Sequence, residues 1–366
     1  LRLIPFNDLA ASHARYADAV ELRIRRVLEH GRFIMGPEVE ELEAALASFV
    51  GVPHAITVKS GTLALELALR VLGIGQGDEV ITSPFSWISA AEAIALVGAR
   101  PVFVDIEPST FLLDHGLLEQ AITPRTKAIV PVSLFGQMPA LEAINASAER
   151  HGLAVIEDGA QSFGASRHGH RSCSLTTIGV TSFFPTKPLG CYGDGGALFT
   201  RDAALARRLR TLRAHGAERR GEHVAVGLNG RLDTLQAAVL LAKLPQLEQD
   251  LQRRRLLAQT YTQGLPEPLT APRSLPGNEP VFGQYTIRVP GDRDAFSARL
   301  RQAGIESAVY YPTPLHLQPV FRALAGPPQP QAERAASSVL SLPLYPAMGD
   351  EAVHVALRAL AALAAG

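Results

Sequence analysis

From residue 55 to about 200 the chain alternates short β-rich runs with helix-forming stretches, and few folds accommodate that rhythm. The β-rich runs include 79–82, 101–105, 126–132, 153–157 and 179–184, and the helical stretches include 63–72, 90–97, 140–151 and 203–214. Strands joined through helices lie parallel, because a parallel connection needs a crossover longer than a tight turn. The alternation therefore predicts a mostly parallel sheet covered by helices. Sheets of that kind bind ligands beyond the carboxyl ends of their strands, so the residues that close each run are the candidates for chemistry.

The flanks read differently. The first 50 residues predict two helices, the second opened by Pro37 in its first turn, with Glu38, Glu40 and Glu41 at the positive end of its dipole. Residues 232–261 read as one long helix that Pro245 should kink or break. The proline-rich stretch 264–280 reads as a linker or surface loop. A strand over 284–289, a helix near 292–303, a Gly/Pro/Gln loop over 325–331 and a helix after Gly349 complete the chain. These patterns predict a large domain over 1–245 and a smaller α+β domain over 246–366.

Composition excludes several classes of function. The 366 residues are 47% hydrophobic and 19% charged, as in ordinary globular proteins. A formal net charge of zero gives no field to recruit nucleic acid or an anionic membrane. Apolar runs such as 128–135 fall far short of the roughly 18 residues that cross a bilayer. With no basic-then-apolar leader pattern at the start, a cytoplasmic location is expected. Cys173 and Cys191 are the only cysteines, without CxxC or His-rich spacing, which predicts a reduced pair and no metal site.

Four places carry candidate chemistry. Ser60-Gly61-Thr62 precedes a helix, either as an ordinary N-cap or as a phosphate cradle of free backbone N–H groups. Asp158 ends an apolar run, either as a cap or as a carboxylate for a protonated ring nitrogen, with Gln161 three residues on. Trp87, the only tryptophan, is either a core residue or a platform for a flat ring. Lys187 follows an apolar run holding Ser182 and precedes Gly190; alone it reads as a surface charge. Together, a lysine, a strand-end acid and a Ser/Thr/Gly cradle are the parts needed to hold pyridoxal phosphate as a Schiff base.

The joint pattern resembles the DegT/DnrJ/StrS sugar aminotransferases. It comprises Ser60-Gly61-Thr62, Glu157-Asp158-Gly159-Ala160-Gln161, Ser182-Phe183-Phe184-Pro185-Thr186-Lys187 and Gly193-Asp194-Gly195-Gly196. Arg213-Ala214-His215-Gly216 and Asn229-Gly230-Arg231-Leu232-Asp233 extend it, and the likeness runs from Pro5-Phe6-Asn7-Asp8-Leu9 to Ser341-Leu342-Pro343. The resemblance implies an α/β, aspartate-aminotransferase-like (fold type I) large domain, a small C-terminal domain and a homodimer with shared active sites. It implies pyridoxal 5′-phosphate as cofactor, Lys187 as the Schiff-base and proton-shuttling lysine, and Asp158 on the pyridine nitrogen. Gln161 falls near the ring hydroxyl, Trp87 stacks on the ring, Gly61, Thr62 and Ser182 hold the phosphate, and Asn229 reaches it from the neighbouring subunit.

The implied reaction moves an amino group from L-glutamate to a nucleotide-linked keto-sugar. Arg171-Ser172-Cys173-Ser174-Leu175 and the run from Thr181 to Tyr192 resemble the branch that aminates C3 of UDP-2-acetamido-2-deoxy-3-keto-glucuronic acid for O-antigen and related surface glycans. Within it, Arg231 either holds the uronate carboxylate or makes a structural ion pair at the subunit interface, and His215, Tyr310 and Tyr311 fall at the sugar. Tyr310 stands where that branch has histidine, which keeps a 4-keto-6-deoxy sugar as the alternative. Gly159 stands where alanine is usual and reads as harmless; His316 either contacts substrate or caps the loop after Pro314. Lys187 favours transamination over dehydration, and neither a basic face nor a lost lysine marks a non-catalytic regulator.

Overall fold

Seven strands build the central sheet of the protein, a computed structural model that describes residues 3–324 and 326–364. In chain order they are β1 (His54–Val58), β2 (Glu79–Thr82), β3 (Arg100–Phe103), β4 (Thr126–Val130), β5 (Ala154–Asp158), β6 (Ile178–Ser182) and β7 (Gly196–Thr200). Their spatial order is β1-β7-β6-β5-β4-β2-β3. Every neighbouring pair from β6 to β3 is parallel, and β7 alone runs against the rest, antiparallel to both β1 and β6.

Both faces of the sheet are covered, so its strands are apolar on both sides. Val155, Ala197 and Phe199 point into one core with Leu42, Leu46 and Leu240. Their neighbours Ile156, Val180 and Leu198 point into the other, against Leu65, Leu67 and Leu69 of helix Gly61–Val71. This two-residue alternation is what a pleated strand imposes. It also sends Glu157 and Asp158, adjacent in sequence at the end of β5, to opposite faces.

The N-terminal stretch departs from the sequence-based expectation: it holds three helices, Leu9–Ala14, Ala17–His30 and Pro37–Val50, because Asp8 caps an extra first turn by accepting from Ala11 N at 2.8 Å. The stretch 232–261 is broken at Pro245 as expected, into Thr234–Lys243 and Leu247–Gly264, with a 3₁₀ turn at Leu244–Gln246 where Pro245 has no N–H to donate. Of the two readings of 264–280 the surface loop holds, and the loop is strapped to the sheet unit. Gln137 donates to Arg273 O (2.9 Å) and accepts from Leu275 N (3.1 Å), while Asn278–Glu279 pairs with Ser166–Arg167.

A separate core contains Leu257, Tyr261, Tyr285, Leu300 and Val353, with Ile4 of the N-terminal arm packed against it. Its two-stranded sheet pairs Tyr285–Arg288 with Val339–Leu342, beside helices Arg293–Gln302 and Asp350–Ala364. The loop expected over 325–331 is cut short by a helix opening at Pro330; Ala325 lies outside the described residues. Among the described residues no helix is long and apolar enough to cross a membrane, and no group of His, Cys, Asp or Glu has metal-site geometry.

Candidate active site

The chemistry gathers at the carboxyl ends of β5 and β6, with the start of helix Gly61–Val71 alongside. Ser60 caps that helix: its Oγ accepts from Leu63 N at 3.1 Å. The capping reading thus holds for Ser60, while Gly61 serves a different need. A Cβ on Gly61 would lie 2.8 Å from Ser182 Cβ, and one on Gly196 would lie 2.6 Å from Ser60 C. Only glycine lets the helix start, the end of β6 and the start of β7 approach this closely. The result is a cradle of unpaired first-turn N–H groups, Thr62 Oγ1 (2.8 Å from Ser89 Oγ) and Ser182 Oγ.

Asp158 is buried, accepts one hydrogen bond from Ala160 N (3.1 Å), and leaves Oδ2 without a partner among the described residues. Burial pushes its carboxyl above the usual range, against the pull of the nearby Lys187 charge. Burial in turn holds Lys187 below the ordinary lysine range, opposed by Asp158. A lysine shifted this way gives up its proton more readily than an exposed one, and the neutral amine is the form that attacks a carbonyl. Its turn is tight: Lys187 N donates to Phe184 O at 2.9 Å, and a Cβ on Gly190 would lie 2.4 Å from Pro185 O. The cavity beside it is lined by Asn7, Ser12 and Tyr16 of the N-terminal segment and by Tyr192 and Lys243.

Gln161 is committed on both ends. Its Oε1 accepts from Phe135 N (2.8 Å) and its Nε2 donates to Tyr311 Oη (3.0 Å). Tyr311 thereby joins Asp158's side of the site, and burial raises its phenol well above the ordinary range. Trp87 is no core residue: it is 62% exposed, tilted at 6.2 Å from the Tyr311 ring. Tyr310 packs edge-on against Phe6 at 5.9 Å.

Asn229, Arg231 and His215 form a second group, which no described contact joins to Asp158 or Lys187 within one chain. Asn229 and Arg231 line an open cavity of about 580 Å³ with Lys59, Ser60, Asp194 and Gln236. Arg231 donates to Asn229 Oδ1 (2.7 Å), its Nε is buried without a partner, and no acid pairs with it among the described residues. His215 is exposed, with its backbone N bonded to Leu228 O at 3.0 Å. Arg213 of the same motif is a strut, donating to Thr57 O at 2.8 Å. His316 Nε2 lies 3.1 Å from a carboxylate oxygen of Glu333, which links the turn Leu315–Leu317 to helix Pro330–Ser338.

Sequence reasoning missed Ser89, Phe135 and Lys243. None carries a local signal, since each reaches the site from an element distant in sequence. Gly159 is also less neutral than expected. A Cβ there would lie 2.6 Å from Cys173 Sγ and 2.9 Å from Ser172 Oγ, so this chain has filled the space an alanine would take.

Comparison with known proteins decides the family. The DegT/DnrJ/EryC1/StrS aminotransferase family matches residues 16–360. The chain belongs to that family. It is 49% identical to the UDP-2-acetamido-2-deoxy-3-oxo-D-glucuronate aminotransferase of Pseudomonas aeruginosa, over 98% of this chain and 99% of that one. It is 44% identical to a UDP-N-acetyl-3-dehydro-alpha-D-glucosamine 3-aminotransferase of Acidithiobacillus ferrooxidans, over 96% and 95%. Among solved structures, Streptomyces venezuelae DesV in complex with a ketimine intermediate superposes with a TM-score of 0.97 at 40% identity, covering 100% and 99%. NtdA of Bacillus subtilis, with bound pyridoxamine phosphate, superposes with a TM-score of 0.94 at 30% identity, covering 100% and 86%.

The protein is therefore a fold type I aminotransferase that uses pyridoxal phosphate. The residues present fit that cofactor: the glycine-bounded cradle admits a phosphate, the open Oδ2 of buried Asp158 suits a ring N–H, and Lys187 supplies the amine.

Proposed function

We propose that this aminotransferase moves an amino group from L-glutamate to C3 of UDP-2-acetamido-2-deoxy-3-keto-glucuronic acid. The product is a diaminouronic acid precursor for O-antigen or a related surface polysaccharide. The relative of 49% identity that acts on this sugar supports the reading, and Arg231, which lines an open cavity and meets no acid among the described residues, is the observation on this chain that carries it. A guanidinium so placed is suited to a carboxylate, and the uronate brings one.

When bound, the cofactor supplies an electron sink for the carbanion formed at the donor's α-carbon. The rest is work for the protein's own residues. Lys187 would hold the cofactor through its Nζ, and its amine would take the proton from the donor and return one to the sugar carbon. Asp158 would keep the ring nitrogen protonated, Gln161 would serve the ring hydroxyl, and Trp87 would cover the ring face. Gly61, Thr62 and Ser182 would bind the phosphate. Tyr310 and Tyr311 wall the sugar.

The working unit is a homodimer. Phe33, Ile34 and Met35 are exposed apolar side chains, and Ile34 lines the Asn229–Arg231 cavity. A second copy seated there covers them and brings Asn229, Arg231 and His215 to the partner's phosphate and sugar. A second reading, amination of a 4-keto-6-deoxy sugar, draws on Tyr310, whose ring packs on Phe6 and presents no charge to a uronate.

The test is amination by L-glutamate of a panel of UDP- and dTDP-linked keto-sugars, scored by product mass. The 3-keto-uronate should be the preferred acceptor, and Arg231→Ala should cost at least tenfold in kcat/KM on it while sparing neutral sugars. Equal losses on both classes refute carboxylate recognition. Retention of borohydride-trapped cofactor in Lys187→Ala refutes the role of Lys187.

A further inference from the structure

Directly beneath the cofactor acid lies a second carboxylate that the reaction does not use. Glu157 is 0% exposed and has no cationic partner among the described residues. It accepts from Ser133 Oγ (2.7 Å) and Ser172 Oγ (2.6 Å) on Oε1, and from Cys173 N (2.7 Å) on Oε2. An isolated buried carboxyl is costly, so three donors brought from two distant loops signal a task beyond filling space.

The contacts around it show what that task is. Ser133 N bonds Asp158 O at 2.9 Å, so the Ser133 loop holds the end of β5 by side chain and backbone alike. Ser172 Oγ lies 2.7 Å from Ser162 Oγ in the turn that carries Gln161. Cys173 Sγ donates to Val180 O (3.4 Å), and Gly159 N donates to the same carbonyl (2.8 Å), which belongs to β6. Two residues further along β6 is Ser182, and five beyond that is Lys187. The Glu157 cluster thus ties together the strand ends that present Asp158 on one side and Ser182 and Lys187 on the other.

We propose that Glu157 is a positioning residue: its buried carboxylate, gripped by Ser133, Ser172 and Cys173, holds β5 and β6 in the relative placement that lets Asp158, Ser182 and Lys187 act on one cofactor. The run Arg171-Ser172-Cys173-Ser174-Leu175 then has a mechanical purpose, since it supplies two of the three donors. The idea rests on the assignment of Asp158 to the ring nitrogen, and the experiment separates the two.

Holoenzyme and reconstituted apoenzyme of Glu157→Gln, Ser172→Ala and Asp158→Asn are compared at 25 °C for pyridoxal phosphate dissociation constant, absorbance of the bound cofactor and the glutamate half-reaction. An amide at 157 cannot accept from all three donors without turning its NH₂ on one of them. Glu157→Gln should weaken cofactor binding about tenfold, shift the bound-cofactor band and lower kcat by more than tenfold, with KM for glutamate within about twofold. Ser172→Ala should move the same readouts in the same direction by less, and it decides the matter where Glu157→Gln does not fold. A purely structural role would lower the melting temperature and leave the band and dissociation constant of the folded variants at wild-type values; that result overturns the proposal. If Asp158→Asn itself leaves the band and binding unchanged, the assignment of Asp158 falls, and this inference falls with it.

Discussion

Gly159→Ala is the sharpest test of how this site is packed, because two effects of known size oppose each other there. Gly159 is not among the glycines with positive φ, so alanine is conformationally allowed. Were space free, the stiffer unfolded chain would stabilise the variant by about 0.4–1 kcal/mol. Space is not free: the added Cβ meets Cys173 Sγ at 2.6 Å, Ser172 Oγ at 2.9 Å and Val180 O at 3.2 Å. Neither side chain yields cheaply, since Ser172 is pinned by Glu157 and Ser162, and Cys173 is buried against Val180 O. Overpacking of this kind costs about 1–3 kcal/mol, so the net expectation is destabilisation by roughly 1–2 kcal/mol. Urea unfolding of Gly159→Ala, Cys173→Ala and the double variant forms a cycle in which removal of Sγ should return about 1 kcal/mol. A Gly159→Ala protein as stable as wild type, or two changes that simply add, would refute the packing argument.

Further outcomes follow from individual groups. Burial lowers Lys243 to about 8, so between that value and the normal lysine value the unfolded chain binds the extra proton and stability rises with pH. In Lys243→Met, denaturation measured from pH 7.5 to 10 should lose that rise. Burial pushes the Cys191 thiol up to about 11 and Cys173 well above its normal value, so a disulfide reagent at pH 8 should label neither until urea is added. Ser60→Ala should cost about 1 kcal/mol of stability through the lost cap, read by urea denaturation, because Ser60 Oγ accepts from Leu63 N. Its O–H stays free to donate, so a cofactor complex of unchanged affinity in that variant would exclude Ser60 from the phosphate cradle.

The alternation of runs was enough to read the parallel part of the sheet, while β1 and the antiparallel β7 were not among the runs picked out. β2 falls on residues 79–82 as expected, and β4, β5 and β6 begin within a residue of their expected starts, because runs buried on both faces are apolar throughout. Lys187 and Asp158 stood out only in company: each follows an apolar run, and alone each has an ordinary reading, as a surface charge or a cap. Trp87 shows the opposite limit. Its sequence neighbours permit either a core or an exposed setting, and only the placement of Tyr311, over two hundred residues away, puts it at the mouth of the site.

What the sequence by itself determined is therefore the local grammar: which runs pair as strands, which residues cap or break helices, and which motifs belong to a pyridoxal-phosphate aminotransferase. Tertiary structure alone decided what those motifs touch. It made Gly159 a space already filled by Cys173, turned the two adjacent acids of β5 to opposite faces of the sheet, and left Arg231 with no acid in contact among the described residues. The physical reason is that propensity and periodicity act over a few residues, whereas burial, desolvation and steric fit are set by atoms that the chain brings together from far apart.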